Sequence, residues 1–166
     1  DNVAIGSAAG TALTTGTFNT LIGGLAGSNI TEANQNVAVG YGTLDADTLG
    51  ARNVAVGTNS LTSQNFTSAT NAYNVGVGYF AGAGITTGVQ NTLIGGLAGD
   101  AQTTASNNTA VGYQALTSAT TGANNTSIGM NSMVANTTGG SNVAVGGSAL
   151  TANTTASNNT AVGSDA

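Results

Sequence analysis

A five-residue segment of the pattern Asn-x-x-Val/Ile-Gly returns at a nearly fixed interval along the whole chain. The copies begin at Asn2, Asn19, Asn36, Asn53, Asn74, Asn91, Asn108, Asn125, Asn142 and Asn159. Eight of the nine intervals between these ten copies are 17 residues, and the ninth is 21. A disordered chain has no reason to keep an apolar residue at a fixed step. The period is typical of a solenoid, in which each repeat forms one coil and stacks on its neighbours.

The first residues of each repeat predict a short β-strand. With Asn as position 1, position 4 is Val or Ile in every copy, position 2 is Val or Thr, and position 3 is mostly small. In the copy that begins at Asn108, Val111 and Gly112 are the invariant apolar residue and glycine. Positions 2 and 4 share one face of a strand, and β-branched residues suit a pleated sheet. We expect this β-branched face to be inside, and the flat face at position 3 to pack against other chains.

The remaining repeat positions predict corners and a second apolar column. The Gly at position 5 has two interpretations: a positive φ at a corner, which we prefer, or close approach of another backbone. Position 9 holds Leu, Met or Gly, and we expect Leu there to point inward. Where position 9 is Gly, Leu21 or Leu93 at position 3, or Leu25 or Leu97, could fill the space. We also expect the ten Asn side chains to hydrogen-bond along the axis.

These features together predict an all-β fold. It is a parallel β-solenoid of about ten 17-residue coils that occupies residues 1–166 as one repeat domain. Each coil offers only about three medium apolar side chains, which is little against a backbone entropy of ~1–2 kcal/mol per residue. We therefore predict a homotrimer with a shared core. Because the chain starts without Met and stops within a repeat, we expect it to be a fragment of a longer fibre.

The composition excludes several classes of function. Arg52 is the only basic residue, and the chain has no His, Cys or Lys and a net charge of −5. Such a chain cannot neutralise phosphates, so we expect neither nucleic-acid binding nor attachment to an anionic membrane. No apolar run approaches the ~20 residues of a membrane span. The chain has no His, Cys or Lys to act as a nucleophile or base, so we predict that the protein is not an enzyme and has no cofactor.

The repeat resembles two known families. Asn-Val-Ala-Val-Gly followed by a Gly/Ser/Ala/Leu segment is similar to the YadA-like head repeats of trimeric autotransporter adhesins. Asn108-Thr-Ala-Val-Gly-Tyr-Gln-Ala-Leu116, with Thr-Thr-Gly-Ala-Asn at 120–124, is even more similar to repeats of bacteriophage tail-fibre proteins. The first resemblance implies a left-handed β-roll assembled as a trimer on the bacterial surface. The second implies a trimeric shaft, and the long Thr/Asn-rich connection favours it.

One repeat, residues 53–73, is four residues longer than the others, with the extra residues near 64–68. Phe66, Tyr73, Tyr79 and Phe80 lie in or close to it. We expect an outward bulge with Phe66 folded over the coil edge. The alternative is a surface-recognition patch made by these four aromatic residues, because insertions in repeats form loops and exposed aromatics bind carbohydrate or protein.

Three further features have modest interpretations. Tyr41, Tyr79 and Tyr113 share position 6, and we interpret them as surface packing because they lie on separated coils. Asp45 and Asp47 lie in a sequence that lacks the Gly-Gly-x-Gly-x-Asp calcium pattern, so we predict a solvated turn and no metal site. Arg52 follows Asp45 by seven residues and is a candidate ion-pair partner for it or for a neighbouring chain.

The functional hypothesis is a structural and adhesive segment of an extracellular trimeric fibre, most like a bacteriophage tail fibre that takes part in host attachment. Its expected partners are its own copies and a glycan or protein of the host surface, and its location is a virion tail fibre or a bacterial cell surface. One alternative is the head of a trimeric autotransporter adhesin. Another is a monomeric ice-binding solenoid, which requires a regular Thr array that only position 2 offers.

Overall fold

The computed structural model describes all 166 residues. The chain is an all-β parallel solenoid of about nine turns and contains no helix. Ten three-residue strands occupy positions 2 to 4 of the repeats. Of two further strands of two residues each, one precedes the longer repeat and the other lies near its end. The strands are β1 (Val3–Ile5), β2 (Thr20–Ile22), β3 (Val37–Val39), β4 (Gly50–Ala51), β5 (Val54–Val56), β6 (Thr70–Asn71), β7 (Val75–Val77), β8 (Thr92–Ile94), β9 (Thr109–Val111), β10 (Thr126–Ile128), β11 (Val143–Val145) and β12 (Thr160–Val162).

The ten strands at positions 2 to 4 form one parallel sheet in which every repeat pairs with the next. Its order is β1-β2-β3-β5-β7-β8-β9-β10-β11-β12. Equivalent positions are paired throughout, as in Val54 with Val37 and Val111 with Ile94. The longer repeat does not shift this register, because Val54 of β5 pairs directly with Val75 of β7. A separate two-stranded sheet joins β4 to β6 where the extra residues lie. We number the coils 1 to 10 by their Asn residues.

The Asn residues form the predicted ladder along the axis. In each of the nine steps the backbone N–H of one Asn donates to the side-chain oxygen of the Asn before it, at 2.8–3.0 Å. The side-chain amide of Asn108 donates to the carbonyl of Gly122, near the end of the same coil, at 2.9 Å. Most of these Asn side chains are buried. The ladder therefore both joins neighbouring coils and closes each coil on itself.

The glycine at position 5 satisfies both interpretations of its role. Gly112 has a φ of +137°, and a Cβ built on it would lie 2.6 Å from the carbonyl oxygen of Gly129 in the next coil. The strand therefore ends in a backbone conformation that disfavours other residues, at a point where adjacent coils touch.

Left-handed backbone conformations make most of the other bends, and many fall on residues other than Gly. Leu116, Gln114 and Asn124, at positions 9, 7 and 17, have φ values between +54° and +60°. Such a conformation costs roughly 1–2 kcal/mol for an L-residue. The N–H of each of these residues donates to a carbonyl of a neighbouring coil, at 3.0–3.1 Å. Stacking thus fixes bends that the isolated repeat would not favour.

The core is made by position 3, and this corrects the prediction for the strand faces. Leu21, Ala38 and Leu93 are completely buried, whereas the Val, Ile and Thr of positions 2 and 4 face outward. Positions 8, 9 and 12 complete the core. The predicted inward Leu at position 9 is confirmed by the buried Leu44 and Leu116.

Where position 3 is large, position 9 of the same coil is small, as the sequence suggested for Leu21 and Leu93. A Cβ on Gly27 would lie 2.8 Å from Leu21, and one on Gly99 would lie 2.8 Å from Leu93. The other two proposed fillers at position 7, Leu25 and Leu97, remain half-buried outside the core.

Candidate interaction surfaces

The outward face of the large sheet is an uncharged surface of β-branched side chains, and we call it the β-branched face. It carries positions 2 and 4 of all ten repeats, and each of these residues is Val, Ile or Thr. Ile94 and Ile128, in the middle of the sheet, are each 39% exposed. Strands spaced ~4.8 Å apart give this face a length of roughly 45 Å. Contiguous apolar surfaces of this kind mark interaction sites on soluble proteins.

The predicted recognition residue Phe66 is buried and only 6% exposed. Its ring lies against Gly50, and its carbonyl accepts a hydrogen bond of 2.9 Å from the Thr48 hydroxyl. The extra residues of the longer coil therefore fold over the body of the solenoid, in line with the preferred interpretation. The ring of Phe66 is not available to a partner at the surface.

Beneath Phe66 lies a buried polar chain that the sequence did not reveal. Gln64 donates from its amide nitrogen to Asp47 at 2.5 Å and accepts from the Asn74 side chain at 2.8 Å. The backbone N–H of Gly50 donates to the same Asp47 carboxylate at 3.0 Å, and that of Phe66 at 3.4 Å. Burial raises the pKa of Asp47, and these donors act in the opposite direction. The prediction of a solvated turn is therefore wrong for Asp47, which occupies the core at position 12.

Tyr73 is exposed and stacks with the only basic side chain of the protein. The Arg52 guanidinium donates to the Tyr73 hydroxyl at 2.7 Å and its carbon lies 5.6 Å from the ring centroid. A second hydrogen bond of 2.9 Å joins Arg52 to Gln35. Arg52 is thus hydrogen-bonded to Gln35 and Tyr73, the residues that precede Asn36 and Asn74. Asp45, the partner expected for Arg52, instead accepts a hydrogen bond from Ser28.

Tyr79 and Phe80 lie side by side after the corner of coil 5. Their ring centroids are 4.5 Å apart with an interplanar angle of 53°. Tyr79 is 59% exposed, whereas Phe80 is partly covered. The four aromatic residues proposed for recognition thus divide into one buried ring, Phe66, one ring paired with Arg52, and an adjacent pair.

A cleft runs beside the longer coil. Glu32, Leu49 and Ala51 line one part of it, and residues 69–71 of the extra loop line another. No cluster of three or more His, Cys, Asp or Glu side chains suited to a metal ion is present. No helix is available to cross a membrane. The arrangement offers surfaces for binding by shape and apolar contact.

No protein-family model, curated protein or solved structure matches this chain. Function is therefore inferred from the surfaces of the solenoid.

The sequence does contain a signal for the β-branched face, in the pairing of residues at positions 3 and 9. Leu at position 3 occurs with Gly at position 9 in coils 2 and 6, while Ala at position 3 occurs with Leu at position 9 in coils 3, 4, 7 and 9. Such compensation indicates that positions 3 and 9 face each other, which leaves positions 2 and 4 outside. The expectation of an inward β-branched face used this pairing only for Leu21 and Leu93 and did not extend it to the other coils.

Proposed function

We propose that this chain is a structural and adhesive segment of an extracellular trimeric fibre, most like a bacteriophage tail fibre that attaches to a host. The observation that carries the proposal is the β-branched face, which spans all ten strands and has no charged residue. Burying apolar surface contributes about 25 cal/mol per Å². Three chains that meet along this face would bury it around a common axis.

The interior of the single chain supports the same proposal. Its core is mainly Ala, with about one large apolar side chain in many coils, and it includes buried Asp47, Gln64 and Gln102. A thin core of this kind gives limited stability by itself. Covering the β-branched face would supply the missing apolar burial, and the hydrogen-bonded coils would then form a stiff rod.

The test is the mass of the intact chain in solution by light scattering. The proposal expects three times the 15.8 kDa of one chain. If one chain is found, fusion to a trimeric coiled coil raises the local concentration of the three copies. A fusion that melts at the same temperature as the monomer would contradict a shared core.

The head of a trimeric autotransporter adhesin uses the same kind of assembly and remains the first alternative. The two differ in the sequences that surround such repeats in a whole protein: a membrane-anchor barrel in one and a phage-type tip in the other. Binding to bacterial surfaces favours the phage fibre, whereas binding to matrix proteins of an animal host favours the adhesin.

One structural observation favours ice binding as a second candidate function. The position-2 threonines face outward on a regular sheet, and three of them, Thr92, Thr109 and Thr126, follow one another in adjacent strands. The other position-2 residues include five valines, which interrupt the array. Inhibition of ice recrystallisation by a monomeric chain would favour this function over the fibre.

A further inference from the structure

The solenoid surface carries a regular column of three tyrosines, Tyr41, Tyr79 and Tyr113. Their residue numbers are unevenly spaced, so the regularity is not obvious from the numbering. They lie 38 and 34 residues apart, yet each follows a strand of the large sheet, and those strands, β3, β7 and β9, are separated by one strand each time. The tyrosines therefore occur on every second coil, at intervals of ~9.6 Å for coils spaced ~4.8 Å apart. They lie on separated coils, as the sequence indicated, and the spacing between those coils is regular.

The three rings are accessible and evenly presented. Tyr41, Tyr79 and Tyr113 are 56%, 59% and 53% exposed. Their carbonyls accept hydrogen bonds of 2.8, 2.8 and 3.0 Å from Asn59, Leu97 and Asn131 in the next coils. The backbone under the column is thus held at the spacing of the coils.

Small residues separate the rings. A Cβ on Gly24 would lie 3.3 Å from Tyr41 Cδ2, and one on Gly96 would lie 3.5 Å from Tyr113 Cδ2, so both rings lean over the glycine of the preceding coil. Thr58 holds the same position before Tyr79. Position 6 therefore alternates small and aromatic residues from coil 2 to coil 7.

Such a column fits a linear polymer with a repeating flat apolar surface. Sugar rings present C–H groups on a flat face, and aromatic rings with a polar edge suit this surface because they combine an apolar body with a hydroxyl. In an extended β-1,4-linked glycan every second sugar presents the same face, and two sugars span about the distance of two coils. A charged polymer is less suitable, because the column carries no charge.

We infer that the tyrosine column is a binding site for an extended, uncharged β-1,4-linked glycan that lies parallel to the solenoid axis, with one tyrosine for every second sugar. This inference rests on the proposed adhesive function and specifies the chemical class of its ligand. Three rings at this spacing cover five sugars, so a hexasaccharide engages all three.

The test measures binding of chitohexaose and cellohexaose to the intact chain by calorimetry, with maltohexaose as the α-linked comparison. We expect a β-linked hexasaccharide to bind at least tenfold more tightly than its disaccharide and than maltohexaose. Each of Tyr41→Ala, Tyr79→Ala and Tyr113→Ala should weaken binding by about three- to tenfold, as the loss of one aromatic stack implies. Tyr79→Phe should retain binding, and Phe18→Ala, which removes an exposed ring outside the column, should have no effect.

The decisive variant keeps the composition and changes only the spacing. The double substitution Thr58→Tyr/Tyr79→Thr moves the central ring by one coil, so the three rings no longer match every second sugar. We expect it to lose the preference for the hexasaccharide while its melting temperature stays within a few degrees. Equal binding by this variant, equal binding of maltohexaose, or no binding by the unmodified chain would overturn the inference.

Light scattering and glycan binding together show whether the tyrosine site or the proposed fibre fails, because the two can fail independently. A trimer that binds no glycan overturns the tyrosine site and leaves the fibre intact. A chain that binds the hexasaccharide, but whose trimeric coiled-coil fusion melts at the same temperature as the monomer, supports the site and contradicts the shared core.

Discussion

Two glutamines at position 12 of the repeat are buried in the core but differ in their hydrogen bonding. Gln102 is completely buried, and neither atom of its amide group has a hydrogen-bond partner. Gln64, at the same position two coils earlier, is also buried but bonds to Asp47 and Asn74. The same residue type is therefore hydrogen-bonded at one position and without a partner at the equivalent one.

We expect Gln102→Ile to raise the free energy of unfolding by about 1–3 kcal/mol, because it removes an unpaired buried amide. Ile occupies this position in coils 2 and 5 as the buried Ile30 and Ile85. Gln64→Ile is the matched control and should destabilise the chain, since it takes a hydrogen-bond partner from Asp47 and from Asn74. Chemical unfolding of both variants checks the prediction, and a loss of stability in Gln102→Ile would contradict it.

The pH dependence of stability should report on Asp47. Burial raises its pKa above the ordinary 3.8, so the folded chain keeps a proton that the unfolded chain releases. The free energy of unfolding therefore falls as the pH rises from about 3.8 through the raised pKa of Asp47. Unfolding measured from below this window up to neutral pH should show the fall, and Asp47→Asn should flatten it. An unchanged slope in the variant would assign the dependence to other carboxyl groups.

Among the elements, the strand and its corner depend on glycine at position 5. We expect Gly112→Ala to lower the free energy of unfolding by about 2–4 kcal/mol. The new Cβ would meet the Gly129 carbonyl oxygen at 2.6 Å, and the backbone has a φ of +137°.

Gly147 provides the matched control for this substitution. It lies beside the corner Gly146, has no positive φ, and a Cβ on it would meet no atom closer than 3.9 Å. Gly147→Ala should change stability by no more than about 0.5 kcal/mol. Equal thermal unfolding of the two variants would show that position 5 does not require glycine.

For the molecule as a whole, the β-branched face should control assembly without controlling the fold of the coil. Val111 lies on this face in the middle of the sheet. We expect Val111→Lys to reduce the solution mass from three chains to one, because a charge cannot be buried at an apolar interface without a partner. The circular dichroism of the folded coil should persist.

The control for this variant places the same charge elsewhere. Thr104 is exposed at position 14, outside the β-branched face. Thr104→Lys should leave the mass of the assembly unchanged. If the two lysine variants have the same mass by light scattering, the β-branched face is not the interface.

The repeat pattern alone was enough to predict the coil, its length and the two features present in every copy, the Asn ladder and the corner glycine. These follow from local patterns, because a fixed period places equivalent residues above one another whatever the details of the core. The pattern also identified the longer repeat and the inward Leu of position 9.

Which side of the strand is buried became clear only from the packing of one coil segment against another. Strand alternation defines two faces but does not say which one is inside, and Leu or Ala at position 3 is buried because it fits against Gly or Leu at position 9. The same packing buried Phe66 and Asp47. These outcomes depend on contacts between coils, which no single repeat contains.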